Sequence, residues 1–93
     1  MEMKKQYRIT VTGMVQGVSF RFFTREFVRA FPITGEVKNL SDGSVLIIAE
    51  GEEQDLQKLI EWTHAGPSAA RVVSVTLVEE PFTGTYSQFD ITW

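Results

Sequence analysis

Between Tyr7 and Thr12 apolar and polar positions alternate, with Tyr7, Ile9 and Val11 set against Arg8, Thr10 and Thr12. That is the pattern of a half-buried strand. A loop containing Gly13 and Gly17 follows, and then the period changes. Phe20, Phe23, Phe27 and Phe31 recur at steps of three and four, opposite Arg25 and Arg29. This predicts a helix over about Arg21 to Phe31 with a phenylalanine stripe in the core, stopped by Pro32. Strand-like sequence resumes from Thr34 to Leu40, breaks at Ser41-Asp42-Gly43 and continues from Ser44 to Glu50, which reads as a hairpin. The acidic run from Glu50 to Asp55 reads as the charged start of a second helix. Leu56, Leu59, Ile60 and Thr63 mark the buried side of that helix, and Gly66-Pro67 ends it. Arg71 to Glu80 is expected as a strand with Val73, Val75 and Leu77 inward, and Tyr86 to Trp93 as a short fifth strand.

The order strand, helix, strand, strand, helix, strand defines a fold class. It predicts an α+β, ferredoxin-like βαββαβ sandwich, with two helices on one face of an antiparallel sheet and a short extra C-terminal strand. A strand–helix–strand crossover returns the chain in the same direction. The loop after Thr12 and the end of the second strand near Asn39 are therefore expected at the same edge of the sheet. Alternation places Val37 and Asn39 on one face and Glu36 and Lys38 on the other. Ninety-three residues suit one domain, residues 1–93, with one two-layer core.

Composition narrows the chemistry. The net charge of -3 argues against a general affinity for nucleic acid or an anionic membrane. No cysteine is present, which excludes disulfides, thiolate catalysis and cysteine-held metals. No apolar run approaches the roughly 20 residues of a membrane span, so the expectation is a cytoplasmic protein, and a monomer is the simplest state. His64, the one histidine, falls at the end of the second helix, where it supports neither a zinc site nor a Ser–His–Asp system. No metal and no cofactor are expected. Asn39-Leu40-Ser41 matches a glycosylation acceptor only formally.

The stretch Val11 to Arg21, Val-Thr-Gly-Met-Val-Gln-Gly-Val-Ser-Phe-Arg, holds the candidate site. Glycines let backbone N–H groups approach a ligand closely, and the following helix start adds free donors and a positive dipole end. Arg21 supplies a planar fork suited to phosphate oxygens. A cation in the first turn also opposes the helix dipole, which points to a bound anion as compensation. Val15, Gln16, Gly17, Val18, Ser19 and Phe20 then form a phosphate-binding loop ending on Arg21.

Gly13, Val15, Gln16, Gly17, Val18, Phe20 and Arg21 together resemble the Gly-x-Val-Gln-Gly-Val-x-Phe-Arg signature of the acylphosphatase family. A second family motif resembles Gly35 to Gly51, with Asn39, Gly43 and Val45 in place, and Gly66-Pro67, Arg71-Val72 and the ending around Phe89 also fit. The chain departs from the family's pattern at Met14, where a basic residue is usual, and at Glu36, where an aromatic is usual. Losing the first is expected to weaken long-range attraction of the anion. Glu36 falls opposite Asn39, so it is expected to change surface packing rather than chemistry.

The resemblance implies metal-independent hydrolysis of carboxyl-phosphate mixed anhydrides to a carboxylate and inorganic phosphate. It makes Arg21 and the loop amides the phosphoryl binders and Asn39 the residue that orients water. Small-molecule acyl phosphates are the implied partners, with inorganic phosphate or sulfate as product or inhibitor. One rival is a non-catalytic phosphate- or acyl-phosphate-binding regulatory module, which needs the loop and Arg21 but makes no demand on Asn39. The other is an RNA-binding domain of the same strand–helix order. Its open sheet face carries stacking aromatics, whereas here the corresponding positions are Arg8, Thr10, Thr12, Leu46, Ile48 and Glu50.

Overall fold

In the computed structural model, which describes residues 3–93, the strand segments become β1 (Lys4–Met14), β2 (Thr34–Asn39), β3 (Val45–Glu52), β4 (Arg71–Pro81) and β5 (Phe89–Ile91). The helical segments become α1 (Phe20–Val28) and α2 (Glu53–Ala65). The sheet runs β4-β1-β3-β2-β5. Its first three pairings are antiparallel, and β5 lies parallel to β2. The result is the ferredoxin-like sandwich with a mixed rather than wholly antiparallel sheet, because the chain after β4 crosses to the far edge before β5 begins.

One face of the sheet carries the core. Tyr7, Ile9 and Val11 of β1 pair with Ala49, Ile47 and Val45 of β3, and all are buried with Leu56, Leu59 and Ile60 of α2. Gly66, at φ 65°, ends α2 as expected. On α1 the buried stripe is Phe20, Thr24 and Val28, and Phe23 is 44% exposed. A polar residue takes the inner position because the Thr24 hydroxyl donates to the Phe20 carbonyl 2.8 Å away. Phe27 and Phe31 sit at the flank of the helix, where Phe27 stacks on Trp62 of α2. The helix also stops at Val28 rather than Phe31. Tighter i to i+3 bonds at Ala30 and Phe31 replace its last turn before Pro32.

On β4 the expected inward set is shifted. A bulge between Thr12 and Gly13 of β1 changes the register, so Gly13 faces Val72. Val72 and Val75 therefore pack on the core, Val73 is 79% exposed, and Leu77, opposite Ile9 on an edge strand, is only partly covered.

The second face of the sheet is not open. Leu46, Ile48 and Glu50 are all buried there. The 82–88 segment crosses this side, held by Glu50, which accepts from the Thr83 amide at 2.9 Å, the Thr83 hydroxyl at 2.7 Å, the Gly84 amide at 3.0 Å and Gln6 Nε2 at 2.8 Å. Glu50 is thus a strand residue that anchors a crossing, not the start of a helix. Among the described residues, no helix is long and apolar enough to cross a membrane.

Candidate active site

The site forms where β1 hands over to α1. Gly13 has φ 125°, and a Cβ there would strike the Arg71 carbonyl oxygen, so the close approach of β1 to β4 just past the bulge needs glycine. Val15 turns into the core and pins the start of the loop. Gly17 at φ 76° and Ser19 at φ 61° then take left-handed conformations. For Ser19 this is a costly backbone state of the kind held in place at functional sites. The Ser19 carbonyl starts α1 by accepting from Phe23 N at 3.1 Å. The N–H groups of Gln16 to Phe22 donate to no protein acceptor among the described residues. The loop thus presents a run of free donors at the positive end of α1.

Arg21 is half-buried, with its guanidinium 4.2 Å from the Trp93 ring centre and Nη1 donating to the Thr92 carbonyl at 3.3 Å. Stacking and a single hydrogen bond fix the fork while leaving most of its five donors free. Asn39 ends β2 opposite the buried Val45, on the helix side of the sheet as alternation places it. The turn beyond it is rigid. Asp42 Oδ1 accepts from Ser44 N at 2.9 Å and Ser44 Oγ at 2.6 Å, and these bonds hold the Asp42 carboxyl below its usual range.

A pocket of about 400 Å³ brings these parts together, lined by Val15, Gly17, Ser19, Phe20, Arg21 and Asn39, with Phe22, Ile91 and Trp93 closing its side. Two residues of the expected loop do not line it. Val18 packs against the core. Gln16 turns its side chain to the hairpin, donating from Nε2 to the Leu40 carbonyl at 2.7 Å and the Ser44 carbonyl at 2.9 Å. That crosslink holds the loop against the segment that carries Asn39.

Sequence reasoning missed Ile91 and Trp93. Weak alternation marked the strand but gave no sign of its partner, and only pairing with β2 brings it beside Arg21. Of the two departures from the family pattern, Met14 is exposed at the end of β1. Glu36 accepts from Tyr86 Oη at 3.0 Å and Thr92 Oγ1 at 2.9 Å, so it fastens both flanks of β5.

Fold and pocket define a ferredoxin-like α+β protein with an arginine-bearing, loop-lined cavity at one end of its sheet. A family model described as Acylphosphatase matches residues 7–91, and the chain belongs to the acylphosphatase family. The acylphosphatase of Geotalea uraniireducens is 45% identical over 91 residues, covering 98% of this chain and 100% of that protein. The crystal structure of acylphosphatase from Bacillus subtilis superposes with a TM-score of 0.91 at 37% identity, over 98% of this chain and 100% of that one. An acylphosphatase structure from Coxiella burnetii gives a TM-score of 0.90 at 38% identity, over 96% and 93% of the two chains.

Proposed function

We propose that this chain is a hydrolase of acyl phosphates, working as a monomer and without a metal ion. The observation that carries the reading is the convergence of Arg21, Asn39 and a loop of unpaired amides on one pocket. The loop amides and the Arg21 fork take the non-bridging phosphoryl oxygens, supplying charge stabilisation where it builds up in the transition state. The Asn39 amide aligns a water for attack on phosphorus. The P–O bond to the acyl group breaks as the water oxygen bonds to phosphorus, and the carboxylate leaves with the electron pair. The water's proton passes to a phosphoryl oxygen, so no protein base is required. The leaving group is good, and orientation with charge stabilisation suffices.

Hydrolysis of benzoyl phosphate tests the activity, and Asn39→Ala tests the mechanism. The variant is expected to lose roughly two powers of ten in kcat, the scale of losing one stabilising polar group, while its affinity for inorganic phosphate stays close to that of the parent. A regulatory binding module would show phosphate affinity and no turnover in either form. The reaction is expected to continue in EDTA, and inorganic phosphate or sulfate to compete with substrate. Loss of activity in EDTA restored by magnesium would overturn the metal-free mechanism.

A further inference from the structure

A second cavity lies beyond the pocket, along the same helix and strand. Helix α1 and strand β5 run side by side in opposite senses, so the seam between them leads away from the phosphoryl position. Ile91 lines the first pocket, and Phe89, two residues earlier and on the same face of β5, lines a second cavity of about 500 Å³. Arg25, Val28, Arg29, Ile33 and Gln88 line that cavity too. Phe22, on the wall of the first pocket, has the Arg25 guanidinium 5.9 Å from its ring centre. Arg21 and Arg25 are one helical turn apart, about 6 Å along the axis.

The cations of this seam differ in their partners. Arg29 is engaged by Glu26 at 3.5 Å. Arg25 has no carboxylate within ion-pair distance among the described residues, and its Nε is buried without a hydrogen-bond partner. A buried, unanswered donor costs free energy and calls for an explanation. An anion carried on a ligand is one that fits its position, because the cavity it lines holds no carboxylate and the next cation along the helix holds the phosphoryl group.

We propose that the α1–β5 seam is the acyl-group channel and that Arg25 reads a second negative charge, so that the preferred substrates are acyl phosphates whose acyl chain ends in a carboxylate a few bonds beyond the carbonyl. This rests on the phosphoryl site assigned above. Arg25 is a specificity-determining residue in this scheme, with Phe22 and Ile91 beside the chain between the two charges.

The test compares two competitive inhibitors of benzoyl phosphate hydrolysis, 4-phosphonobutanoate and butylphosphonate, which share a four-carbon chain and differ in its terminal carboxylate. The carboxylate is expected to tighten inhibition on the order of tenfold, the scale of one charge-assisted hydrogen bond. Arg25→Gln is expected to bring the two inhibition constants together, Arg25→Lys to keep part of the gap, and Arg25→Glu to reverse it. Equal inhibition by the two compounds in the parent protein would overturn the proposal, as would a gap that survives in Arg25→Gln. If benzoyl phosphate is not hydrolysed at all, the hydrolytic reading has failed while the phosphoryl-binding site still stands or falls on phosphate affinity. In that case direct binding of the same two phosphonates, read by calorimetry, decides whether Arg25 still discriminates.

Discussion

Two clusters of donors lie at opposite ends of the sheet. At one end, the Thr83 and Gly84 amides, the Thr83 hydroxyl and Gln6 Nε2 converge on the Glu50 carboxylate, which is 1% exposed. At the other, the amides from Gln16 to Phe22 have no protein acceptor among the described residues. Both loops use a glycine with positive φ, Gly84 at 69° and Gly17 at 76°. The difference is whether the chain supplies the anion. Burial alone would raise the Glu50 carboxyl, yet the Thr83, Gln6 and Gly84 donors outweigh it and hold the group below its usual range. A filled cradle clamps the crossing segment to the sheet. An unfilled one, with a left-handed Ser19 and an arginine at its rim, is available to a ligand.

The strongest way to break this comparison is to remove the cation from the unfilled cradle. Arg21→Ala is expected to cost about 2–4 kcal/mol of transition-state binding, the range for a charge-assisted contact to a phosphoryl group in a water-poor site. That is a fall of roughly thirty- to a thousandfold in kcat/KM for benzoyl phosphate. Arg21→Lys recovers only part, since an ammonium lacks the fork. A folded Arg21→Ala protein with near-parental kcat/KM would remove Arg21 from the site.

The filled cradle makes the opposite forecast, stability without catalysis. Glu50→Gln replaces an acceptor oxygen with an NH2 group facing amide donors, and is expected to cost about 2–3 kcal/mol in urea unfolding. The folded variant is expected to keep its kcat/KM, because Glu50 lies at the far end of the sheet from the pocket. The effect also depends on pH. The folded pKa of Glu50 is depressed, so its contribution is complete above the pKa of the unfolded chain and fades as pH falls through the folded value. The stability gap between parent and variant must therefore shrink on acidification. A gap that widens in acid would mean that the carboxylate is not what holds the crossing.

The contrast also explains what could be read from the sequence. The unfilled cradle is local: seven signature residues between Gly13 and Arg21 and one strand end near Asn39 were enough to locate it. The filled cradle joins residues 33 and 34 positions apart, and Glu50 was absorbed into a charged run because nothing local marks it as buried. The same holds for β5, whose parallel place beside β2 depends on the crossing, and hence for Ile91 and Trp93. Helix periodicity located α1 but not its inner stripe. The aromatic positions looked more apolar than Phe20, Thr24 and Val28, and only packing against the sheet decides between them. On β4 the bulge at Gly13 turned Val73 outward, a register change no single strand's pattern reveals.

Gln16 offers the finest cut between the two kinds of cradle, because it serves both roles within one residue. Its amide N–H belongs to the unpaired run, whereas its side chain makes two bonds to the hairpin, at 2.7 and 2.9 Å. Gln16→Ala keeps the N–H and removes the crosslink. The Leu40 and Ser44 carbonyls retain partners in the Gly43 and Leu40 amides, so the loss is limited to the net value of two bonds, about 1–2 kcal/mol of stability. The loop amides still meet phosphate, and its dissociation constant is expected to change little. Asn39, however, is no longer tied to the loop, so kcat for benzoyl phosphate is expected to fall several-fold, far less than in Asn39→Ala. Measuring kcat and the phosphate dissociation constant on the same preparation separates the two roles. If phosphate affinity falls while kcat holds, the crosslink shapes the amide run itself and not the alignment of Asn39 with it.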